Sequence, residues 1–402
     1  MRKNRKRGVF METLILTGNH AVAYAVKMAR ARFVSCYPIT PQTQIVEKLA
    51  EFILSGELDA VFVPVESEHS AMAACIGASL AGVRTFTATC SHGLAYMHEM
   101  LHWASATRLP IVMAVVNRAI GPPWNIWAEH GDSISQRDTG WIQIYTSNHQ
   151  EAFDTILQAY KIAEDPEVLL PVMVCLEGFV LSHTAQPVLL PNQEDVDAFI
   201  PHEPWKHITI DIDNPITHGN LQMPEDWFYE FRFLLHKAME TAKKKIVRCS
   251  EEFEKIFGRN HGHLVEEYKC SDADVVLLSM GSLADQAKLV VDVLREEGYK
   301  AGAVKLRSFR PFPEEELCRI ARKTECILVI DRNLSPGKGG AVASELKASL
   351  YGIKEKPLIL ECIAGLGGRD VTLEEELEVM KQAFKIIEEC TEPKGIIWLG
   401  LK

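Results

Sequence analysis

A-V-F-V-P-V-E-S-E-H-S-A-M-A-A-C-I-G-A-S-L-A, residues Ala60–Ala81, is the stretch that decides the fold. Its opening, Ala60–Val65, is a short apolar run rich in valine, as a buried strand requires. From about Ser67 the residues are small and continue at helix length to Ala81. The same alternation extends outward from this unit. Runs at Arg32–Tyr37, Arg84–Ala88, Pro110–Val116 and Pro171–Leu176 read as further strands, and Gln42–Ile53, His92–Ala106 and Gln150–Ala163 as helices. Strand–helix alternation predicts an α/β fold, a doubly wound parallel sheet with helices on both faces. In such sheets ligands sit at the carboxyl ends of the strands.

Further along, Gln186–His218 breaks the rhythm with Pro187, Pro191, Pro201, Pro204 and Pro215. It reads as an extended excursion over the surface or over a neighbour. A long charged helix, roughly Trp227–Phe257, follows. A second alternating unit then begins near residue 265, with strands near Val275–Met280, Ala301–Leu306, Cys326–Ile330 and Leu358–Cys362. Helices are expected near Ala284–Glu297, Glu314–Lys323, Gly340–Tyr351 and Leu373–Ile387. The expected division is therefore a first domain over residues 1–262 and a smaller α/β domain over 263–402, consistent with a chain of 402 residues.

The net charge of -11 and a pI near 5.7 argue against nucleic acid or an anionic membrane as partner, since either calls for a basic face. The ten cysteines are scattered; the closest pair, Cys318 and Cys326, is eight apart, and no C-x-x-C occurs. Iron–sulfur and all-cysteine zinc sites need tighter clusters, so reduced core thiols of a cytoplasmic protein are expected instead. The basic start, Met1–Arg7, is too short of apolar residues for a signal peptide. It reads as a frayed tail, or as an upstream start with Met11 the true beginning.

Several motifs fall just after the expected strands. In V-E-S-E-H-S-A-M (Val65–Met72), Glu68 sits at a helix N-terminus, suited to capping or to general acid–base work. In Y-P-I-T-P-Q-T (Tyr37–Thr43), two prolines pin Thr40 in a turn, as a binding hydroxyl or as a helix cap. In V-N-R-A-I-G-P-P-W-N-I-W (Val116–Trp127), Arg118 ends a strand and leads into a rigid aromatic loop. It suits either a substrate carboxylate or a loop-locking ion pair.

H-E-M-L-H (His98–His102) matches a zinc-protease pattern, but the third ligand is missing and a packed helix fits as well. S-Q-R-D-T-G-W (Ser135–Trp141) reads as an Arg137–Asp138 pair with a tight turn at Gly140. G-K-G-G (Gly337–Gly340) and G-L-G-G-R-D (Gly365–Asp370) are either tight turns or phosphate cradles.

Taken together and in order, Y-P-I-T-P, V-E-S-E-H-S-A-M, T-F-T-A-T, H-E-M-L, R-L-P-I-V-M, N-R-A and S-I-S-Q-R-D-T-G-W-I-Q, with R-P-F-P (Arg310–Pro313) and G-L-G-G-R-D, closely resemble the alpha subunits of the multi-subunit pyruvate and branched-chain 2-oxoacid:ferredoxin oxidoreductases. The resemblance covers nearly the whole chain. It implies a thiamin-diphosphate-binding fold of the pyrimidine type, followed by a transketolase C-terminal-like domain that serves assembly more often than catalysis. It implies that Glu68 contacts the cofactor's pyrimidine ring, where a carboxyl bonded to a ring nitrogen favours the imino tautomer. Pro38 and Ile39 would line the cofactor, and Thr40 and Arg118 would hold the 2-oxoacid. No metal ligands are implied in this chain, and none for His98 and His102. The family pattern has glutamine where His92 stands.

The sequence lacks the G-D-G motif that anchors Mg²⁺ and the cofactor's phosphates in thiamin enzymes. The resemblance therefore places Mg²⁺, the 4Fe–4S clusters and the capture of coenzyme A as cosubstrate on partner subunits. These are beta and gamma, with delta left open, and ferredoxin is the electron acceptor of the complex. The implied reaction converts a 2-oxoacid to acyl-CoA and CO₂, or the reverse. Pyruvate and 2-oxoisovalerate are expected equally; 2-oxoglutarate is disfavoured, because no second cationic anchor is visible in these loops. A non-catalytic assembly or regulatory subunit of the same fold and a zinc hydrolase on His98 and His102 are the competing readings.

Overall fold

The computed structural model describes residues 12–201, 209–391 and 395–402; Met1–Arg7 and Pro204 lie outside the described residues. Among the described residues the first sheet has seven strands. Their order is Ser308–Arg310, Ile142–Tyr145, Val172–Glu177, Val112–Asn117, Thr85–Thr89, Phe33–Cys36 and Val61–Pro64. All neighbours are parallel except the Ser308–Arg310 edge. The central strands V-M-A-V-V-N and V-M-V-C-L-E are buried at every position because both faces are covered, which is why they read as continuous apolar runs.

Strand order reverses between Phe33–Cys36 and Thr85–Thr89: the chain first steps outward to Val61–Pro64, then returns to the other side. This switch point is where a doubly wound sheet opens a crevice at its carboxyl edge.

The second sheet runs Ile397–Trp398, Leu358–Ile363, Cys326–Asp331, Val275–Ser279, Ala301–Leu306 and Val265–Tyr268, parallel except at the last strand. An antiparallel ribbon, Glu12–Thr17 with Ala185–Leu190, stands apart from both sheets.

The helices begin where the sequence offers caps. Asn148 accepts the Glu151 N–H to start His149–Ala163, and Thr372 with Glu375 forms a capping box for Leu373–Glu388. Gly258 ends the long helix Phe228–Phe257 in the left-handed conformation, φ 71°. The expected helix His92–Ala106 is instead two, Ser91–Tyr96 and His98–Ala106. The chain bends at buried Met97, whose N–H is shared between the Gly93 and Leu94 carbonyls.

The first half and the second half share one core. Met72, Leu101, Trp141 and Tyr145 beneath the first sheet join Leu278, Leu306, Phe309 and Leu346 in a single apolar cluster. A buried charge group reinforces it: Glu151 lies 3.0 Å from Lys305 Nζ and 3.2 Å from Arg307 Nε. Burial alone would raise the Glu151 carboxyl, but Lys305, His261 and Arg307 hold it at about 2. Removing one partner from such a set costs ~3–5 kcal/mol, because a charge is left buried and alone.

Candidate active site

Four loops meet at the switch point. Each leaves the carboxyl end of a strand, so the sheet itself sets their spacing. After Phe33–Cys36 comes Tyr37–Gln42. Gln42 is buried in it and donates from Nε2 to the Tyr37 and Ala88 carbonyls at 2.8 and 3.0 Å, tying the loop to the neighbouring strand. Asn19 Nδ2 donates to the Pro41 carbonyl at 2.8 Å. The helix starts only at Thr43, with Gln42 at the cap position, so Thr40 is left in the turn and is not the cap. Pro38 and Thr40 are exposed and Ile39 is half-buried.

After Val61–Pro64, Ser67 caps the helix Glu68–Leu80 by accepting the Ser70 N–H at 3.2 Å. Glu68 is its first residue and is only 7% exposed. Among the described residues its carboxylate takes no hydrogen bond and no ion pair. It lies over Gly93, where a Cβ would meet Glu68 Oε1 at 2.5 Å. Thr89 Oγ1, beside the same point, is buried without a hydrogen-bond partner.

After Val112–Asn117 comes Arg118, 2% exposed. Its Nη1 donates to the Thr40 carbonyl at 2.7 Å and its Nε to the Asn125 carbonyl at 3.1 Å, while Nη2 has no hydrogen-bond partner. The other buried arginines lie against carboxylates: Arg84 on Glu164, Arg307 on Glu151 and Arg332 on Glu177. Among the described residues no carboxylate pairs with Arg118. A buried cation held by neutral groups alone is costly unless an anion joins it.

Asp132 organises these loop ends, and the sequence reading did not single it out. It is fully buried. Oδ2 accepts the backbone N–H of Ser91 at 2.9 Å and of Arg118 at 3.0 Å; Oδ1 accepts Asn117 Nδ2 and Ser133 N–H, both at 2.8 Å. Burial pushes its carboxyl up, against these bonds. Ser91 is held there at φ 47°, left-handed for a residue with a side chain. Asp132 lies one residue upstream of S-I-S-Q-R-D, outside every motif that the sequence offered. Cys90 Sγ reaches the Thr40 carbonyl at 3.2 Å, and burial pushes its thiol up, so it is no nucleophile.

The remaining motifs resolve as structural elements. Gly340 opens the helix Ala341–Ser349, but Asp331 fills that N-terminus, accepting the Val342 and Ala343 N–H at 3.0 and 3.1 Å. No phosphate is needed there. In the Gly365–Asp370 loop, Gly367 N–H donates to Glu129 Oε2 and Gly368 N–H to the Ala128 carbonyl. That loop docks the second half onto the Trp127 loop. His98 Nδ1 lies 2.6 Å from Gln136 Oε1 and Glu99 faces His69 at 3.4 Å. Among the described residues no group of three or more metal-ligating side chains converges. Arg137 and Asp138 pair at 3.9 Å and Gly140 turns at φ 81°. A cavity of 630 Å³ lined by Lys27, Arg30 and Arg32 lies at the opposite, amino edge of the sheet, and its cations are paired with Glu57, Asp197 and Asp59.

A doubly wound sheet with a second, mostly parallel α/β unit packed on it is the architecture of a thiamine-diphosphate-binding fold. The match to known families is specific. Residues 24–251 match the thiamine-diphosphate-binding domain of pyruvate flavodoxin/ferredoxin oxidoreductases, and residues 273–376 match core domain II of pyruvate:ferredoxin oxidoreductase. The chain belongs to this family, as an alpha-type subunit of the 2-oxoacid:ferredoxin oxidoreductases.

It is 50% identical over 388 residues to ketoisovalerate oxidoreductase subunit VorA of Pyrococcus horikoshii, covering 96% of this chain and 98% of that one. Identity and coverage are the same for pyruvate synthase subunit PorA of Pyrococcus abyssi. The corresponding PorA of Methanocaldococcus jannaschii is 48% identical, covering 97% of this chain and 98% of that one. Among solved structures, the 2-oxoglutarate:ferredoxin oxidoreductase of Magnetococcus marinus superposes with a TM-score of 0.70 at 21% identity, covering 92% of this chain and 65% of that chain. At that identity the likeness is one of fold.

Proposed function

We propose that this chain supplies the pyrimidine side of a thiamine-diphosphate site in a 2-oxoacid:ferredoxin oxidoreductase, with the phosphate side on a partner subunit. The observation that carries the reading is a pair of buried residues at one switch point, Glu68 and Arg118, neither of which has a counterion among the described residues. A carboxyl with no internal partner, set over a glycine, fits an aromatic nitrogen heterocycle lying against it. When bound, the cofactor supplies the electron sink for loss of CO₂ from a 2-oxoacid.

In this reading Glu68 holds a proton at a ring nitrogen of the cofactor, and Pro38 and Ile39 line the ring. Arg118 pairs with the substrate carboxylate, and Thr40 offers its hydroxyl beside it.

The partners follow from the same reading: beta and gamma subunits, and delta where the complex has one, carrying Mg²⁺, 4Fe–4S clusters and the coenzyme A site, with ferredoxin as acceptor. The substrate is a 2-oxoacid with a small apolar side chain, pyruvate or 2-oxoisovalerate; relatives at equal identity carry both names, so identity does not choose. A boundary at 262/263 is supported by the second sheet starting at Val265, although the Ser308–Arg310 strand returns to the first sheet. A cytoplasmic location is supported by ten cysteines that are all free thiols.

The test is 2-oxoacid-dependent reduction of ferredoxin by the assembled complex, wild type against Glu68→Gln and Arg118→Ala. Glu68→Gln is expected to abolish turnover with every 2-oxoacid, while Arg118→Ala raises KM for all of them. Undiminished turnover in Glu68→Gln would instead make this chain an assembly subunit.

A further inference from the structure

Among the described residues Trp124 is the most exposed tryptophan, at 77%, so burial in its own subunit does not hold it. Two other residues do. The His92 imidazole stacks on its indole, with ring centroids 5.7 Å apart and planes at 9°. Arg118 Cζ lies 5.0 Å from the same ring centroid. His92 also grips the loop that carries Trp124, for Gly121 N–H donates to His92 Nε2 at 3.2 Å. That bond leaves the ring proton on Nδ1, 3.2 Å from Ser91 Oγ, and Ser91 in turn donates to the Ala119 carbonyl. At the far end of the loop, Asn125 accepts the Trp127 N–H at 2.7 Å and donates to the Gly367 carbonyl at 3.0 Å. Both ends of the loop are therefore anchored, and the indole at its tip depends on His92.

We infer that His92 is a specificity-determining positioning residue: by stacking on Trp124 and holding Gly121, it fixes the indole beside Arg118 as the wall that the 2-oxoacid side chain meets. This rests on the substrate carboxylate pairing with Arg118, as proposed above. A carboxylate seated on that guanidinium brings the rest of a short 2-oxoacid within reach of a ring 5.0 Å away. An apolar wall discriminates by size, and a fixed wall does so more sharply than a loose one. One methylene changes kcat/KM by roughly 10–200-fold in such pockets. His92 does not touch substrate; its effect passes through Trp124.

The experiment measures kcat/KM for pyruvate and for 2-oxoisovalerate with the assembled complex. In His92→Ala the ratio is expected to shift by about tenfold toward the bulkier acid. His92→Phe keeps a ring to stack but not the acceptor for Gly121, and His92→Gln keeps only that acceptor, so both should fall between wild type and His92→Ala. Trp124→Ala should reproduce the His92→Ala shift, and the double variant should add nothing to it. Hydrogen exchange of the peptide spanning 119–127 should accelerate in His92→Ala, which reads the loop independently of turnover. Equal loss for both acids in His92→Ala, or additive effects of the two alanine variants, overturns the inference while leaving the function intact. Failure of the wild-type complex to oxidise either acid overturns the function, and the inference with it.

Discussion

A Cβ on Gly93 would stand 2.5 Å from Glu68 Oε1 and 2.6 Å from Thr89 Oγ1. The glycine thus makes room for the acid. Glu68 Cγ, at 2.8 Å, is a third obstacle, and Thr89 is fully buried in its strand, so Gly93→Ala must both displace Glu68 and press on the Thr85–Thr89 strand. The expected result is a lower unfolding temperature together with about a hundredfold loss of turnover, the scale of a 1 Å misplacement of a catalytic group. Parallel thermal unfolding and steady-state assays check it.

Asp132→Asn should act on both stability and binding. The amide cannot reproduce two oxygens that each accept two N–H groups, and its own NH₂ would face donors. A loss of ~1–3 kcal/mol is expected from the unsatisfied donors. Because Asp132 fixes the backbone of Arg118, KM for the 2-oxoacid should rise as well. Chemical denaturation together with KM measurement tests both halves.

Glu376 should make stability fall as pH rises. It is fully enclosed, neither oxygen has a hydrogen-bond partner, and burial raises its carboxyl from 4.5 to about 8. A folded value above the unfolded one means the stabilisation is complete below 4.5 and lost as pH climbs toward about 8, because the unfolded chain ionises first. Glu376→Gln removes this group's share of the slope. Unfolding free energies at several pH values between those limits should be flatter in the variant, and higher than wild type near the upper one. An identical slope in both proteins would contradict the assignment.

Gly368→Ala should loosen the docking of the two halves. Gly368 sits at φ 75°, and a Cβ there would lie 2.2 Å from Trp127 Cβ. Neither loop can yield without breaking the Gly368 N–H bond to Ala128 at 2.8 Å. A lower unfolding temperature and faster hydrogen exchange at both loops are the expected signs.

The sequence made the repeating strand–helix units legible because strands such as Val112–Asn117 are covered on both faces and read as unbroken apolar runs. It hid Ile142–Tyr145, which is four residues long with Gln143 inside it, and the three-residue edge Ser308–Arg310. Both become strands through tertiary pairing rather than local pattern. Likewise Ala185–Leu190 lies in a proline-bearing stretch and is a strand only by its pairing with Glu12–Thr17.

At the proposed site, Glu68, Thr40 and Arg118 could be singled out because each follows a strand within a recognisable motif. Asp132 and Gly93 could not. One matters for the backbone donors it collects and the other for a side chain it lacks, and both properties exist only once the loops have met.

The proposed contact between Glu68 and the cofactor can be tested directly. In the assembled complex, the rate at which the cofactor's thiazolium C–H exchanges with solvent deuterium reports the proton relay that Glu68 is proposed to support. Wild type should exchange at least a hundredfold faster than Glu68→Gln, with cofactor content equal in the two. Equal exchange rates would mean that the carboxyl does not act on the ring, and would contradict the account.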